Sequence, residues 1–137
     1  MRAGLDTNVL VSAFIAAGPP SRLLEEAIDG RLQLVLFDPV AAELERALVE
    51  KLSFEPSRWR EVDSLLRELA VESVAAPSGS PPPVTGDPDD DVVLACAVDA
   101  GVEVLASGDR KHLLPAGEHG GVRILTPQAL LAELRGG

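Results

Sequence analysis

The sequence predicts an α/β domain built around a parallel β-sheet. Short apolar runs of strand length alternate with stretches whose apolar residues recur at helical spacing. Strands that alternate with helices in this way pair in parallel, and ligands gather at the carboxyl ends of such strands. Of the 137 residues, 46% are hydrophobic, which suffices for one core, so we interpret residues 1–137 as a single domain.

The first strand is separated from the helices that follow it by polar turns. Residues 2–5 form a short apolar strand, Asp6-Thr7-Asn8 a polar turn, and residues 9–15 a helix. Glycine and proline end that helix, and Ser21 is placed to cap a second one that ends at Asp29-Gly30. Asp6 is therefore expected at the carboxyl end of the first strand.

The middle of the chain adds two strands and two helices. Residues 32–37 are an apolar run typical of a buried strand, and the following helix begins at Asp38-Pro39. An amphipathic helix begins at Ser57 and carries Trp59 on its apolar stripe. A strand is predicted over 71–76, and the proline- and serine-rich residues after it are expected to form an exposed loop.

The last third of the chain repeats the pattern of the first strand. The acidic run 87–91 opens an apolar helix that extends to Ala100, and a buried strand follows at 102–106. Ser107-Gly108-Asp109 comes directly after this strand, as Asp6 does after the first. A strand at 122–125 and a closing helix complete the predicted fold.

Four carboxylates are expected to converge at the carboxyl edge of this sheet. Asp6 and Asp109 follow strands, Glu43 lies early in a helix, and Asp91 directly precedes the apolar part of its helix. Carboxylates so close together raise one another's pKa values, so a cation is expected among them. Oxygen ligands without Cys or His favour Mg²⁺ or Mn²⁺, which can activate water for phosphodiester hydrolysis.

Polar residues beside these acids are expected to orient them. Thr7 and Asn8 adjoin Asp6 and could fix its carboxylate, and Ser107 could do the same near Asp109.

The remaining acids of the run 87–91 are ambiguous. Asp87 and Asp90 are additional candidate ligands, and either could take the place assigned to Asp91. Taken singly, each candidate acid is also explained as a helix cap or a solvated residue, and only their combination favours a functional site. His112 and His119 are interpreted as structural or surface residues.

The charge and the cysteine content limit the classes of function. A net charge of −10 opposes a nucleic-acid substrate, because polyanion binding normally shows as a surplus of Lys and Arg. Carboxylates gathered at a metal site would explain part of this charge, and a basic partner is the other explanation. The single cysteine, Cys96, cannot form an intrachain disulfide and is expected to be buried. With no secretion leader or membrane span visible, we predict a cytoplasmic protein.

The chain resembles the PIN domain family, and within it the short bacterial and archaeal VapC-like toxin components of type II toxin–antitoxin pairs. The resemblance extends over nearly the whole chain. The segments that carry it are Leu5-Asp6-Thr7-Asn8-Val9-Leu10-Val11-Ser12-Ala13, Ala42-Glu43-Leu44, Asp87-Pro88-Asp89-Asp90-Asp91 with the apolar helix after it, Ser107-Gly108-Asp109 with His112-Leu113-Leu114, and Ile124-Leu125-Thr126-Pro127.

This resemblance implies a three-layer α/β/α sandwich with a central parallel sheet of about five strands. It implies a ribonuclease that holds Mg²⁺ or Mn²⁺ at Asp6, Glu43, Asp91 and Asp109. It also implies a homodimer that a co-expressed antitoxin protein inhibits.

Two other classes of function stay open on the residues. One is a phosphatase with Asp6 as covalent nucleophile, but dehalogenase-like enzymes carry a second Asp two residues later, where this chain has Asn8. The other is a non-catalytic module that binds a protein partner, which the net charge and the Trp59 helix favour.

Overall fold

The computed structural model describes residues 1–136, which form a mixed sheet with helices around it. The strands are β1 (Arg2–Leu5), β2 (Gln33–Phe37), β3 (Glu72–Val74), β4 (Val104–Ala106), β5 (Glu118–His119) and β6 (Val122–Leu125). The helices are α1 (Thr7–Ile15), α2 (Pro19–Ile28), α3 (Asp38–Glu45), α4 (Pro56–Leu69), α5 (Pro88–Ala100), α6 (Leu113–Ala116) and α7 (Pro127–Gly136), and a π-helical segment (Arg46–Lys51) continues α3.

The sheet has the strand order β3-β2-β1-β4-β6-β5. All neighbouring strands pair in parallel except β5, which pairs antiparallel with β6 at one edge. The chain moves outward from β1 to β2 and β3, and then returns to β4 on the other side of β1. Such a reversal leaves a crevice beyond the carboxyl ends of the two central strands, the usual ligand site of a parallel sheet.

The central strands are buried on both faces. In β2, Leu34, Val35, Leu36 and Phe37 are each at most 2% exposed, although side chains alternate between the two faces of a strand. Helices therefore cover both faces, which confirms the predicted α/β/α arrangement. Cys96 is fully buried in the same core, as predicted.

Several element boundaries differ from the sequence prediction. Strand β3 has only three residues and two of them are exposed, so the strand predicted over 71–76 is too long. Helix α5 begins at Pro88, so the acids at 89–91 lie inside its first turn. The short α6 and β5 were not predicted. None of the helices within residues 1–136 is long and apolar enough to cross a membrane.

Candidate metal centre

A cavity of about 210 Å³ lies beyond the carboxyl ends of β1 and β4, where the strand order reverses. Its lining is mostly carboxylates and other polar side chains. The lining residues are Asp6, Thr7, Asn8, Glu43, Asp87, Asp89, Asp90, Val93 and Asp109. The structure therefore brings three of the four principal predicted acids into one cavity, together with both of the additional candidates.

Asp6 is the most buried acid of the cavity, with 6% of its surface exposed. Its Oδ1 accepts a hydrogen bond from the backbone N–H of Val9 (3.0 Å), which caps α1, and Ser107 Oγ donates to Oδ2. Burial raises the pKa of Asp6, although these two hydrogen bonds act in the opposite direction, and the charges of Asp109 and Glu43 raise it further. The carboxylate is thus held in one orientation beside other acids.

The three predicted orienting residues have different contacts. Ser107 bonds to Asp6 and also accepts the backbone N–H of Asp109 at 3.0 Å, so it joins the two acids that follow strands. Thr7 Oγ1 donates to Glu43 Oε2 at 3.1 Å. Thr7 therefore orients Glu43, whereas the sequence analysis expected it to orient Asp6. Asn8 is exposed and lines the cavity.

The loop after β4 holds Asp109 by backbone hydrogen bonds. The Oδ1 atom of Asp109 accepts the N–H groups of Lys111 (2.9 Å) and His112 (3.0 Å). The side chains of Asp109 and Asp90 share a hydrogen bond, which lowers the pKa of Asp109, as do the contacts from this loop. Asp109 is therefore the charged member of a carboxyl pair.

Asp90 is the other member of that pair. Partial burial and the hydrogen bond to Asp109 raise the pKa of Asp90 to about 8, and the charges of Asp109, Asp87 and Asp6 contribute in the same direction. A divalent cation would remove this repulsion, because it compensates the charge of several carboxylates at once. The donor set therefore fits a hard divalent cation.

Asp91 lies outside the cavity, which corrects its assignment to this cluster. Its Oδ1 accepts the N–H groups of Val84 (3.1 Å) and Thr85 (2.8 Å) and the hydroxyl of Thr85 (2.8 Å). Burial alone would raise the pKa of Asp91, but these hydrogen bonds outweigh it and the pKa is lowered. Asp91 thus fastens the preceding loop to α5, while Asp90, one residue earlier, faces the cavity.

A histidine adjoins the carboxylates, namely His112, which the sequence analysis interpreted as structural or surface. His112 Nδ1 lies 3.5 Å from Asp109 Oδ2 and 3.7 Å from Asp90 Oδ2. One ligand atom each from Asp87, Asp90 and His112 lies within 4.8 Å of the others, a spacing that a metal ion could bridge. The sequence signal for this placement is that His112 follows Asp109 by three residues in the same turn.

Asp87 combines two roles in this region. One carboxylate oxygen accepts the N–H groups of Asp89 (2.8 Å) and Asp90 (3.3 Å) and so caps α5. The side chain also lines the cavity. The cap sets the start of α5, and with it the direction in which Asp90 projects.

The family comparison agrees with this fold and this cavity. A family model described as PIN domain matches residues 2–111. This match covers most of the chain, and the chain therefore belongs to the PIN domain family. A comparison with curated proteins gives no match.

Proposed function

We propose that the protein is a metal-dependent endoribonuclease. The observation that carries this proposal is the convergence of Asp6, Glu43, Asp90 and Asp109 on one cavity at the reversal of the strand order. Membership of the PIN domain family supports hydrolysis of nucleic acid at such a site, and the family resemblance of the sequence motifs favours RNA.

Asp6, Glu43, Asp90 and Asp109 would hold the cation, with Asp87 and His112 beside them. When bound, Mg²⁺ or Mn²⁺ supplies an acidified water as nucleophile and neutralises charge that develops on the phosphate. This assignment replaces Asp91 by Asp90, since only Asp90 lines the cavity.

The residues of the chain itself fix and tune these ligands. Ser107 and the start of α1 hold the Asp6 carboxylate in place, and Thr7 holds one oxygen of Glu43. The Asp90 carboxyl shares its proton with Asp109 when no cation is present. Because ligands must lose their protons to bind a metal, we expect cation binding to expel this proton.

The test is cleavage of a single-stranded RNA by the purified chain in Mn²⁺, with and without EDTA. We expect cleavage that EDTA abolishes and that Asp6→Asn reduces by roughly a hundredfold or more, because one ligand of the cation is lost. The matched control is Asp99→Asn, which makes the same change at an exposed position of α5 that does not line the cavity. Cleavage that survives EDTA, or that Asp6→Asn leaves intact, contradicts the proposed function.

We further propose that this nuclease is the toxin of a toxin–antitoxin pair and forms a homodimer. The resemblance to VapC-like toxins supports this, as does a groove lined by Phe14, Phe54, Val62 and Leu65. Arg58 and Glu61 complete the lining of the groove, and Leu65 is 37% exposed, so the groove offers apolar surface beside charged groups that a protein partner could cover.

The proposal requires a small reading frame next to the gene, and co-expression of the chain with its product tests the toxin role. Expression alone should stop growth, and co-expression should restore growth and give a complex that copurifies. Size-exclusion chromatography with light scattering tests the dimer. If wild type and Asp6→Asn have the same effect on growth, the toxin role is contradicted, whereas the proposed nuclease activity is not.

A further inference from the structure

Half of the twelve basic residues have neither a carboxylate nor an aromatic partner within the described part of the chain. Within residues 1–136, carboxylate partners lie within 4 Å of Arg2, Arg31, Arg67, Arg123 and Arg135. The guanidinium of Arg58 lies over the ring of Phe54 at 4.0 Å. The basic residues that have neither kind of partner within the described part of the chain can bind an RNA phosphate without giving up an existing contact. These are Arg22, Arg46, Lys51, Arg60, Arg110 and Lys111.

Arg110 and Lys111 differ from the other basic residues in their position at the cavity. They directly follow Asp109, which lines it, and both are exposed. The backbone N–H of Lys111 donates to Asp109 Oδ1 at 2.9 Å, so the turn that carries the two cations is fixed to the acidic cluster. The backbone of Lys111 thus lies beside Asp109, and the two adjacent cations directly follow a residue that lines the negatively charged cavity.

We propose that Arg110 and Lys111 bind backbone phosphates of the RNA beside the scissile bond. This inference rests on the proposed function and deepens it, because it names the residues that position the substrate. The guanidinium of Arg110 can bind a phosphate with two parallel hydrogen bonds, and Lys111 adds a mobile point charge. The pair supplies local attraction for a polyanion on a chain whose net charge of −10 repels it.

The alternative role of the pair is to offset repulsion among the carboxylates. In the proposed role the two cations bind RNA phosphates, whereas in the alternative role they act on the carboxylates of the protein. Cations that bind RNA phosphates release counterions from the RNA, so the affinity depends on salt. Cations that only balance Asp90 and Asp109 would weaken metal binding, and their removal would strengthen it without changing that salt dependence.

The experiment measures binding of a short fluorescein-labelled oligouridylate in Mn²⁺ by anisotropy. All variants carry Asp6→Asn as well, so that the RNA stays intact. The affinity is followed from about 50 mM to about 200 mM salt. The test variant is Arg110→Ala/Lys111→Ala, and the matched control is Lys51→Ala/Arg60→Ala, which removes one Lys and one Arg from exposed positions outside the cavity.

We expect the test variant to lower the magnitude of the slope of log affinity against log salt by about 1.4, because each lost contact with a single strand contributes about 0.7. The control should keep the slope of the parent. The charge-retaining variant Arg110→Lys/Lys111→Arg should also keep it. In the active chain, the test variant should raise KM roughly tenfold and change kcat less than about twofold.

Three results would overturn the inference. One is a slope in the test variant equal to that of the parent. Another is an equal decrease of the slope in the test and control variants. The third is a decrease of the slope in the charge-retaining variant as large as that in the test variant. Tighter Mn²⁺ binding with an unchanged slope would assign the pair to charge balance. Failure of the proposed function is a separate outcome, because there the wild-type chain neither cleaves RNA nor binds it with any dependence on salt.

Discussion

Asp90 and Asp91 are neighbours in α5 with opposite environments. Successive residues of a helix project about 100° apart, so Asp90 faces the acids of the cavity while Asp91 faces the loop before the helix. The Asp90 carboxyl is surrounded by like charge, whereas the Asp91 carboxylate accepts three hydrogen bonds. We therefore expect Asp91 to stabilise the fold and Asp90 to bind the cation at the expense of stability.

Replacement of Asp91 tests the first half of this expectation. Asp91→Ala should lower the free energy of unfolding by about 2–4 kcal/mol, because three donors lose a charged acceptor. Urea denaturation measures the change, and Asp89→Ala, at an exposed position of the same turn, is the control. The lowered pKa of Asp91 means that its contribution is present above the unfolded-state value and is lost in acid. A loss no larger than that of the control contradicts the assignment.

Replacement of Asp90 tests the second half. Because its pKa is raised to about 8, the folded state keeps a proton that the unfolded state has released. Metal-free wild type should therefore lose stability as the pH rises from about 4 to about 8. Water screens the partly exposed carboxylate, so we expect Asp90→Asn to be more stable than wild type by about 1–2 kcal/mol at alkaline pH.

Urea denaturation in EDTA at several pH values measures this difference. Near pH 4, the Asp90 carboxyl keeps its proton in the folded state, so it carries no charge that Asp109 could repel and the difference should largely vanish. A variant that is less stable than wild type at alkaline pH would show that Asp90 is a structural residue.

Among the secondary-structure elements, the alternation of strands and helices was predictable, because the apolar runs of the strands and the helical spacing of apolar residues are distinct patterns. The buried run 32–37 became β2, and the chain around Asp6 became β1 and α1. The start of α5 was not predictable from periodicity, because the cap at Asp87 decides it and four acids in that run could serve as a cap. The choice between Asp90 and Asp91 depends on that one-residue register, which is why the sequence interpretation favoured the wrong neighbour for the cavity.

Strands β1 and β2 pack tightly at Gly4, where the ring of Phe37 covers the glycine. A Cβ atom at Gly4 would lie 2.4 Å from two ring atoms of Phe37, whose side chain is fully buried. We expect Gly4→Ala to lower the free energy of unfolding by about 1–3 kcal/mol, because the ring must move in a filled core. Gly108→Ala is the control, since a Cβ atom there meets nothing within 4 Å. Equal stability of the two variants in urea would contradict this account of the packing.

In the whole molecule, the carboxylates that line the cavity contribute to the net charge of −10. The sequence predicted the cavity from the ends of its strands, and the structure places Asp6, Glu43 and Asp109 there. The contribution of His112 was not predicted, because only the turn after β4 brings its ring beside Asp90. Long-range neighbours of this kind depend on how the turn folds, which residue spacing alone does not specify.

A cation bound only by the folded chain must stabilise it. We expect Mn²⁺ to raise the Tm of wild type, by mass action on the folded state, and to raise it less in Asp90→Asn. Because Asp90 must lose its proton to bind, the apparent Mn²⁺ affinity should rise with pH up to about 8. Thermal denaturation over a Mn²⁺ titration at several pH values measures both effects. A Tm shift of equal size in Asp90→Asn would remove Asp90 from the site.

Single-turnover RNA cleavage in Mn²⁺ tests most directly whether Asp90 binds the cation, with Asp90→Asn and Asp91→Asn compared with wild type at a temperature where all three are folded. Both variants replace a carboxyl by an amide of nearly the same volume at adjacent positions of α5. We expect a loss of roughly a hundredfold or more in Asp90→Asn and cleavage close to wild type in Asp91→Asn. Cleavage retained in Asp90→Asn and lost in folded Asp91→Asn would contradict this expectation.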